Sequence, residues 1–230
     1  MADWISFWDT QHSIYVNARH CDVHYRGIAE DLRRYVPAPD AVVMDYGCGD
    51  ALHAGIVAAA AGRLILVEAP PGVVAALTAR FAGARNIDVV TPARLPEYPD
   101  HGIDVIVLHS VAQYLSAEAL DVLLLQFRRL LRPNGLLIVG DVIPPDLSTL
   151  ADVMALLRLA LAHGFLGAAL LGLARTLTSD YRRLRATLGF ARYGAAAMLA
   201  KLRAAGFSGE RAPRNIGHNQ RRMTFLARPM

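Results

Sequence analysis

The 230 residues include 54% hydrophobic and only 19% charged side chains, and the formal net charge is +4. This composition excludes a disordered chain, and the length suits one α/β domain with an elaboration. Two cysteines, Cys21 and Cys48, are too few for a disulfide framework, and the N-terminal residues have no basic stretch followed by an apolar core. We therefore expect a protein of a reducing compartment, the cytoplasm.

Apolar runs of strand length alternate with helical patterns along most of the chain. The predicted elements are a helix over 11–35, a strand over 41–46, a helix over 52–61, a strand over 63–68, a helix over 72–82, strands over 87–91 and 103–108, a helix over 116–131, a strand over 136–141, a helix that ends at 205, and strands over 209–216 and 222–228. This alternation is typical of an α/β fold whose sheet lies between two layers of helices.

A glycine-rich turn follows the first predicted strand, and the sequence there reads Asp45-Tyr46-Gly47-Cys48-Gly49-Asp50-Ala51. Glu68 ends the second strand, where a carboxylate can accept hydrogen bonds from ribose hydroxyls, while the glycines permit close approach of a ligand to the backbone. The spacing differs from the Gly-x-Gly-x-x-Gly of dinucleotide-binding folds, and the sequence has no Gly-Lys-Ser/Thr triphosphate loop. We expect a nucleoside-binding turn; the alternative is an ordinary strand-to-helix turn whose glycines only permit packing.

These residues resemble the first motif of the class I S-adenosylmethionine-dependent methyltransferases, with Glu68 in the place of the ribose-binding acid. The turn Arg132-Pro133-Asn134-Gly135 before the fifth strand and Gly206-Phe207 after the last helix are similar to that family as well. The resemblance implies a Rossmann-like, doubly wound, seven-stranded and mostly parallel sheet, with an N-terminal helix and a helical insertion after strand five. It implies S-adenosyl-L-methionine as the cofactor, bound by Asp45, Gly47, Cys48, Gly49, Asp50, Glu68, Ala69, Thr91, Pro92, Ala93 and His109.

The chain departs from the family pattern in two places. Ala51 replaces the last glycine of the motif, and the turn tolerates it only if its φ is negative. Thr91, Pro92 and Ala93 stand where many relatives place an adenine-contacting acid. Backbone groups, the Thr91 hydroxyl or apolar packing must then hold the adenine.

Polar side chains follow the fourth and fifth predicted strands, at the sheet edge where ligands bind in such folds. They are His109, Ser110, Gln113, Tyr114 and Asp141. A protonated acceptor requires a general base, and His109 is the best candidate because an unperturbed histidine titrates near neutrality. The alternative is that His109 only packs or positions groups beside the cofactor. Gln113, Tyr114 and Asp141 are candidate substrate-binding residues.

The N-terminal helix carries aromatic and imidazole side chains. In small-molecule members of the family this segment covers the cofactor and lines the acceptor pocket, so the resemblance makes Trp8, Tyr15, His20 and His24 candidate substrate-binding residues. The alternative is that the aromatic rings fasten the helix to the sheet. His20 and His24 share one helical face, but Cys21 lies off it and too few ligands converge, so we predict no metal site.

The segment 144–193 begins apolar and ends basic. Its uncharged run, 159–174, is 16 residues long, whereas a membrane span needs ~20 apolar residues. Three interpretations stay open: a lid over a hydrophobic substrate, an interfacial helix on anionic lipid, and a dimer surface. The predicted division is a helical cap over 1–38, a core over 39–143 and 194–230, and a lid over 144–193.

Charge is distributed unevenly along the chain. Residues 1–174 contain 12 arginines and 18 acidic residues, a balance of −6, while residues 175–230 have a balance of +10. This asymmetry indicates an anionic partner such as nucleic acid, a membrane surface or an acidic substrate. The alternative is that these arginines solvate helix faces and pair with the acidic N-terminal part.

The expected function is transfer of a methyl group from S-adenosylmethionine to a small, hydrophobic acceptor. One alternative is an S-adenosylmethionine-binding module with little or no turnover, and another is an RNA methyltransferase that uses the basic C-terminal part. Nucleic acid is the less favoured partner, because His109-Ser110-Val111-Ala112 stands where an Asn/Asp-Pro-Pro-Tyr/Phe motif would follow strand four. Transient membrane-surface contact and a homodimer stay open.

Overall fold

Seven strands form one sheet in the computed structural model, which describes residues 8–9, 15–176 and 189–230. The strands are β1 (Val42–Tyr46), β2 (Arg63–Val67), β3 (Ile87–Val90), β4 (Ile103–His109), β5 (Leu131–Val142), β6 (Phe207–Arg211) and β7 (Met223–Pro229). Their order across the sheet is β3-β2-β1-β4-β5-β7-β6. β7 is antiparallel to β5 and β6, and the remaining pairs are parallel. The predicted α/β fold with a seven-stranded, mostly parallel sheet is confirmed.

Helices cover both faces of this sheet. They are α1 (Ala18–Arg33), α2 (Ala54–Ala58), α3 (Pro71–Phe81), α4 (Ala117–Leu130), α5 (Thr149–His163), α6 (Leu166–Thr176) and α7 (Ala195–Ala204). The central strands are apolar along nearly their whole length because neither face meets water. Phe127 of α4 and Met198 of α7 belong to the core on one face, whereas Leu32 of α1 and Val57 of α2 belong to the core on the other.

Several predicted boundaries differ from the observed ones. The helix expected over 52–61 is only Ala54–Ala58, because the chain must turn back at Gly62, whose N–H donates to the carbonyl of Ala41, just before β1. The strand expected over 209–216 ends at Arg211. Beyond Arg211, backbone groups bond to side chains instead of to the backbone of β7; for example, the Ile216 N–H donates to the Thr224 hydroxyl at 2.9 Å. β5 begins at Leu131 rather than at residue 136.

Helix α1 begins at Ala18, later than the predicted start at residue 11; residues 11–14 of that prediction lie outside the described part of the chain. Asn17 caps it, since its side-chain oxygen accepts a hydrogen bond from the His20 N–H at 2.8 Å. The helix buries His20, Ala29 and Leu32. Its His20 side therefore faces the protein interior instead of water.

Helices α5 and α6 form a hairpin after β5, which we call the α5–α6 hairpin (149–176). Ser148 caps α5, and Gly164 ends it with a left-handed φ of 75°. Ala160, Phe165 and Ala169 form a small buried cluster with Val16 packed against it. No helix within the described residues is long and apolar enough to cross a membrane.

Candidate active site

A cavity of about 1270 Å³ lies along the carboxyl ends of β1, β2, β4 and β5. The strand order reverses between β1 and β4 at this edge, which is where open α/β sheets bind ligands. The predicted site residues that line the cavity are Trp8, Tyr15, His20, His24, Asp45, Gly47, Cys48, Gly49, Glu68, Ala69, Pro92, His109, Gln113, Tyr114 and Asp141. We call the region around Gly47, Gly49 and Glu68 the glycine part, and the region around His20 and His24 the histidine part.

Three predicted cofactor contacts, Asp50, Thr91 and Ala93, are not among the residues that line the cavity. Asp50 is exposed, and Ala93 turns outward in the 3₁₀ segment Pro92–Glu97 that follows β3. Pro70 and Val73 line the cavity instead, together with Pro92. This wall of the cavity is therefore apolar.

The glycine turn needs its glycines for two reasons. Gly47 and Gly49 have left-handed φ angles of 72° and 56°. A Cβ at Gly47 would lie 2.4 Å from Val111 Cγ2, and a Cβ at Gly49 would lie 2.6 Å from the Tyr25 hydroxyl. Val111 and the Tyr25 hydroxyl thus lie too close to the turn for a side chain at either position.

Ala51 corrects one expectation. The sequence predicts a negative φ for this residue, but its φ is 43°. An L-residue in this region costs about 1–2 kcal/mol relative to the right-handed one. The Ala51 methyl group is buried, so packing around the turn offsets part of that strain.

Tyr25 of α1 supports the glycine turn, although the sequence does not single it out. Its hydroxyl accepts a hydrogen bond from the Asp50 N–H at 2.9 Å. Its ring packs against those of Tyr15 and His24, at centroid distances of 5.8 and 5.5 Å. Tyr25 therefore connects the glycine part to the histidine part.

Glu68 closes the glycine part. Its Oε2 accepts a hydrogen bond from the Gly49 N–H at 2.7 Å, and its Oε1 accepts one from the Ala69 N–H at 2.9 Å. Burial raises the pKa of Glu68 above its ordinary value, and these two N–H donors oppose that shift. Each carboxylate oxygen has a second lone pair, so ribose hydroxyls can still donate to Glu68.

Asp45 lies at the end of β1, beneath the glycine turn. Burial, with a smaller contribution from the negative charge of Glu68, raises the pKa of Asp45 to about 7. Two carboxyl groups that share a buried region cannot both ionise cheaply, so a ligand that donates hydrogen bonds here relieves an electrostatic cost.

His109 lies at the end of β4, and both of its ring nitrogens have neighbours. Nε2 lies 3.2 Å from the Ile216 carbonyl oxygen, which only accepts, so Nε2 carries a proton. Nδ1 can then only accept, and the single Ser110 hydroxyl proton has two acceptors within reach, His109 Nδ1 at 3.2 Å and Asp141 Oδ2 at 2.7 Å. This geometry favours a positioning role for His109 over that of a base that meets the substrate.

Asp141 belongs to a buried network that links β5, β7 and the α5–α6 hairpin. Arg222 donates to Asp141 Oδ2 at 2.6 Å and pairs with Asp152, in the first turn of α5, at 3.2 Å. Burial acts to raise the pKa of Asp141, but the Arg222 guanidinium and the hydrogen bonds outweigh it, so the pKa lies below its ordinary value. Arg222 is not distinguished in the sequence, where it is one of the many arginines of the basic C-terminal part.

Aromatic and imidazole rings line the histidine part. His20 stacks on Phe165 with centroids 5.3 Å apart, and the His24 ring lies 5.9 Å from that of His218. Burial, and next the proximity of His218, lowers the pKa of His20 to about 4 and that of His24 to about 3. These imidazoles are therefore neutral at pH 7. Within the described residues, no three metal-binding side chains lie close enough to hold an ion.

A doubly wound sheet with a glycine turn and a buried acid at its switch point defines a nucleoside-binding α/β protein. Residues 44–139 match a family model described as a methyltransferase domain. No curated protein matches the sequence of the chain. These 96 of the 230 residues are therefore similar to a methyltransferase domain.

Solved structures share this fold over nearly the whole chain. One is a chain of the complex between the Haloferax volcanii Trm112 methyltransferase activator and a methyltransferase (13% identity, TM-score 0.62, 100% of this chain and 99% of that one). Another is DhpI in complex with SAH (14% identity, TM-score 0.62, 98% and 94%). A third is Burkholderia thailandensis 1,6-didemethyltoxoflavin-N1-methyltransferase with bound 1,6-didemethyltoxoflavin and S-adenosylhomocysteine (17% identity, TM-score 0.55, 90% and 78%). At these identities the likeness concerns the fold.

Proposed function

We propose that the protein transfers the methyl group of S-adenosylmethionine to a small acceptor molecule with an apolar body. The observation that carries this proposal is the continuity of the cavity, which joins the glycine part to the histidine part. A cofactor and an acceptor can therefore lie in contact within one volume, and methyl transfer requires that alignment.

The glycine part fits a nucleoside. The left-handed glycines leave backbone N–H groups next to a concave surface, and Glu68 keeps lone pairs for two ribose hydroxyls. Pro70, Val73 and Pro92 offer apolar surface to the adenine. S-adenosylmethionine, when bound, supplies an already activated methyl group, and DhpI and the Burkholderia enzyme were crystallised with SAH or S-adenosylhomocysteine.

The remaining work of the chain is to orient the acceptor and to exclude water. We propose that Ser110, whose hydroxyl proton can be donated to His109 Nδ1 or to Asp141 Oδ2, positions these two side chains at the ends of β4 and β5. Ser110 and Asp141 have left-handed φ angles of 59° and 62°, a strain that is commonly kept at functional sites.

The α5–α6 hairpin is proposed as a lid over the acceptor. Asp152 and Leu156 of α5 line the cavity, and Phe165 stacks on His20 of the facing helix α1. The alternatives for this segment are a membrane-facing surface and a dimer surface, because Leu161, Leu170 and Leu171 on its outer side are exposed.

RNA is not the acceptor that we propose. Several cationic side chains in the described part of the basic C-terminal region bind other groups of the protein. Arg222 pairs with Asp141 and Asp152, and Lys201 pairs with Asp121. Arg192 donates to the Pro145 and Leu147 carbonyls. These contacts support the interpretation that the positive charge stabilises the fold. A binding module without turnover differs from an enzyme only in product formation.

Titration calorimetry with S-adenosylhomocysteine tests the cofactor part of the proposal. Glu68→Ala removes a charged acceptor, and hydrogen bonds to charged groups are worth about 1.5–3 kcal/mol. We expect roughly tenfold to hundredfold weaker binding. Glu97→Ala is the matched control, because Glu97 is exposed and pairs with Arg94 on the surface. Equal affinities in the wild type and Glu68→Ala would remove Glu68 from the site.

Turnover is tested separately. The wild-type protein with radiolabelled S-adenosylmethionine should methylate at least one member of a panel of small hydroxyl- and N–H-bearing ring compounds. If the protein binds the cofactor tightly and labels RNA but no compound of the panel, the RNA alternative is favoured.

A further inference from the structure

Two buried polar atoms at the cavity have no hydrogen-bond partner within the described part of the chain. They are His24 Nδ1 and Gln113 Oε1. Leaving a buried donor or acceptor unpaired costs about 1–3 kcal/mol, so native proteins rarely keep such atoms without a reason. Both residues line the cavity, and Gln113 is only 6% exposed. A ligand is the partner that both atoms can share.

The two atoms belong to the part of the cavity where the acceptor must lie. Gln113 is in the 3₁₀ turn Ala112–Tyr114 that follows β4, and the Tyr114 ring beside it contacts Trp8 and Phe190 at centroid distances of 5.8 and 5.5 Å. His24 projects from α1 on the other wall, close enough to His109 and Asp141 to interact with their charges. Aromatic rings therefore lie near both unpaired atoms: Tyr114 is next to Gln113, and Tyr15 and Tyr25 are next to His24.

We infer that the acceptor is an uncharged, ring-sized molecule with a hydroxyl or N–H donor, and that Gln113 and His24 bind its polar groups. This inference rests on the proposed function and names the substrate class of the same site. The side-chain oxygen of Gln113 can only accept, so the ligand must supply a donor. His24 Nδ1 accepts or donates according to its tautomer; a hydroxyl satisfies either state, and a ring N–H satisfies the accepting one.

The surrounding charges argue for a neutral ligand. His20, His24 and His218 all have lowered pKa values because of burial, so they offer no cation to an anionic ligand at pH 7. The Arg222 guanidinium is already shared between Asp141 and Asp152, which leaves neither carboxylate unpaired for a cationic ligand. Arg192 also lines the cavity, but its side chain is exposed and donates to the Pro145 and Leu147 carbonyls. A charged acceptor among the buried histidines would therefore lose its hydration without a counter-charge.

The test is a ligand-observed NMR screen in the presence of S-adenosylhomocysteine. The probes are two-ring aromatic fragments of matched size, among them 1-naphthol, its methyl ether, 1-naphthoic acid and 1-naphthylmethylamine. We expect the neutral donors to bind, and the ether, the anion and the cation to bind roughly tenfold more weakly or not at all. Gln113→Leu and His24→Phe should each reduce the preference for donors over their ethers severalfold.

Controls separate the possible failures. His163→Phe changes an exposed histidine of α5 and should leave the preference intact. If His24→Phe does not fold, Gln113→Leu carries the test alone. No binding of S-adenosylhomocysteine by the wild type would contradict the proposed function. If S-adenosylhomocysteine binds normally, three outcomes contradict only the inference about the acceptor: no fragment binds, charged fragments bind as well as neutral donors, or folded variants keep the wild-type preference.

Discussion

Two glycines of helix α6 should respond in opposite directions to the same substitution. A Cβ at Gly172 would lie 2.4 Å from Val16 Cγ1 and 2.9 Å from Val16 Cβ, whereas a Cβ at Gly167 would have no heavy atom within 4 Å. Rotation of the Val16 side chain moves its Cγ atoms but not its Cβ, so Gly172→Ala must displace α6 from the N-terminal segment. Such overpacking typically costs about 1–3 kcal/mol.

Alanine also improves helix propensity by about 1 kcal/mol over glycine at both positions. Gly167→Ala should therefore stabilise the α5–α6 hairpin by up to about 1 kcal/mol, while Gly172→Ala should destabilise it by up to about 2 kcal/mol. Native-state hydrogen exchange of residues 149–176 measures this local stability directly. Equal gains in protection for both variants would refute the close contact between Gly172 and Val16, and with it the docking of the hairpin.

Three further perturbations test the charge and proton arrangement. His109→Gln at saturating substrate should lower the methyl-transfer rate less than about tenfold, because both ring nitrogens are engaged by protein groups; a loss of ~10²–10⁴-fold would establish the general-base role. Arg222→Met removes the guanidinium that neutralises the largely buried carboxylates of Asp141 and Asp152 and should cost about 3–5 kcal/mol in urea unfolding. The exposed Arg221→Met should cost little, and equal losses in the two variants would contradict the network. The pKa of His24 is lowered to about 3 in the folded protein. Below pH 6.5 the unfolded chain therefore binds a proton at His24 that the folded protein does not bind, and the free energy of unfolding falls as the pH drops. His24→Phe should remove roughly 2–3 kcal/mol of that loss between pH 6.5 and 4.5, and identical pH profiles would show that His24 is not buried in the neutral form.

The sequence predicts the glycine part well because its determinants are local. Gly47, Gly49 and Glu68 lie at the ends of neighbouring parallel strands, and the strands are evident from their apolar runs. The sign of φ at Ala51 could not be obtained this way, since it depends on the turn packing against α1 and β4. The prediction there is wrong for that reason.

The histidine part depends on contacts between distant segments, so the sequence predicts it only in part. The resemblance to the family makes His20 and His24 candidate substrate-binding residues, and both line the cavity. Tyr25 lies one residue further along α1, but only the packing of that helix against the glycine turn gives it a role. Arg222 is separated by 81 residues from Asp141, and no local pattern distinguishes a buried arginine from an exposed one.

The most direct test of the central claim is a crystal structure with S-adenosylhomocysteine bound. We predict that the ribose hydroxyls donate to Glu68, that the adenine packs on Val73 and Pro92, and that the sulfur points toward the histidine part, between His109 and His24. A ligand bound outside the cavity, or one whose sulfur points away from the histidine part, would contradict the claim that one cavity holds both the methyl donor and its acceptor.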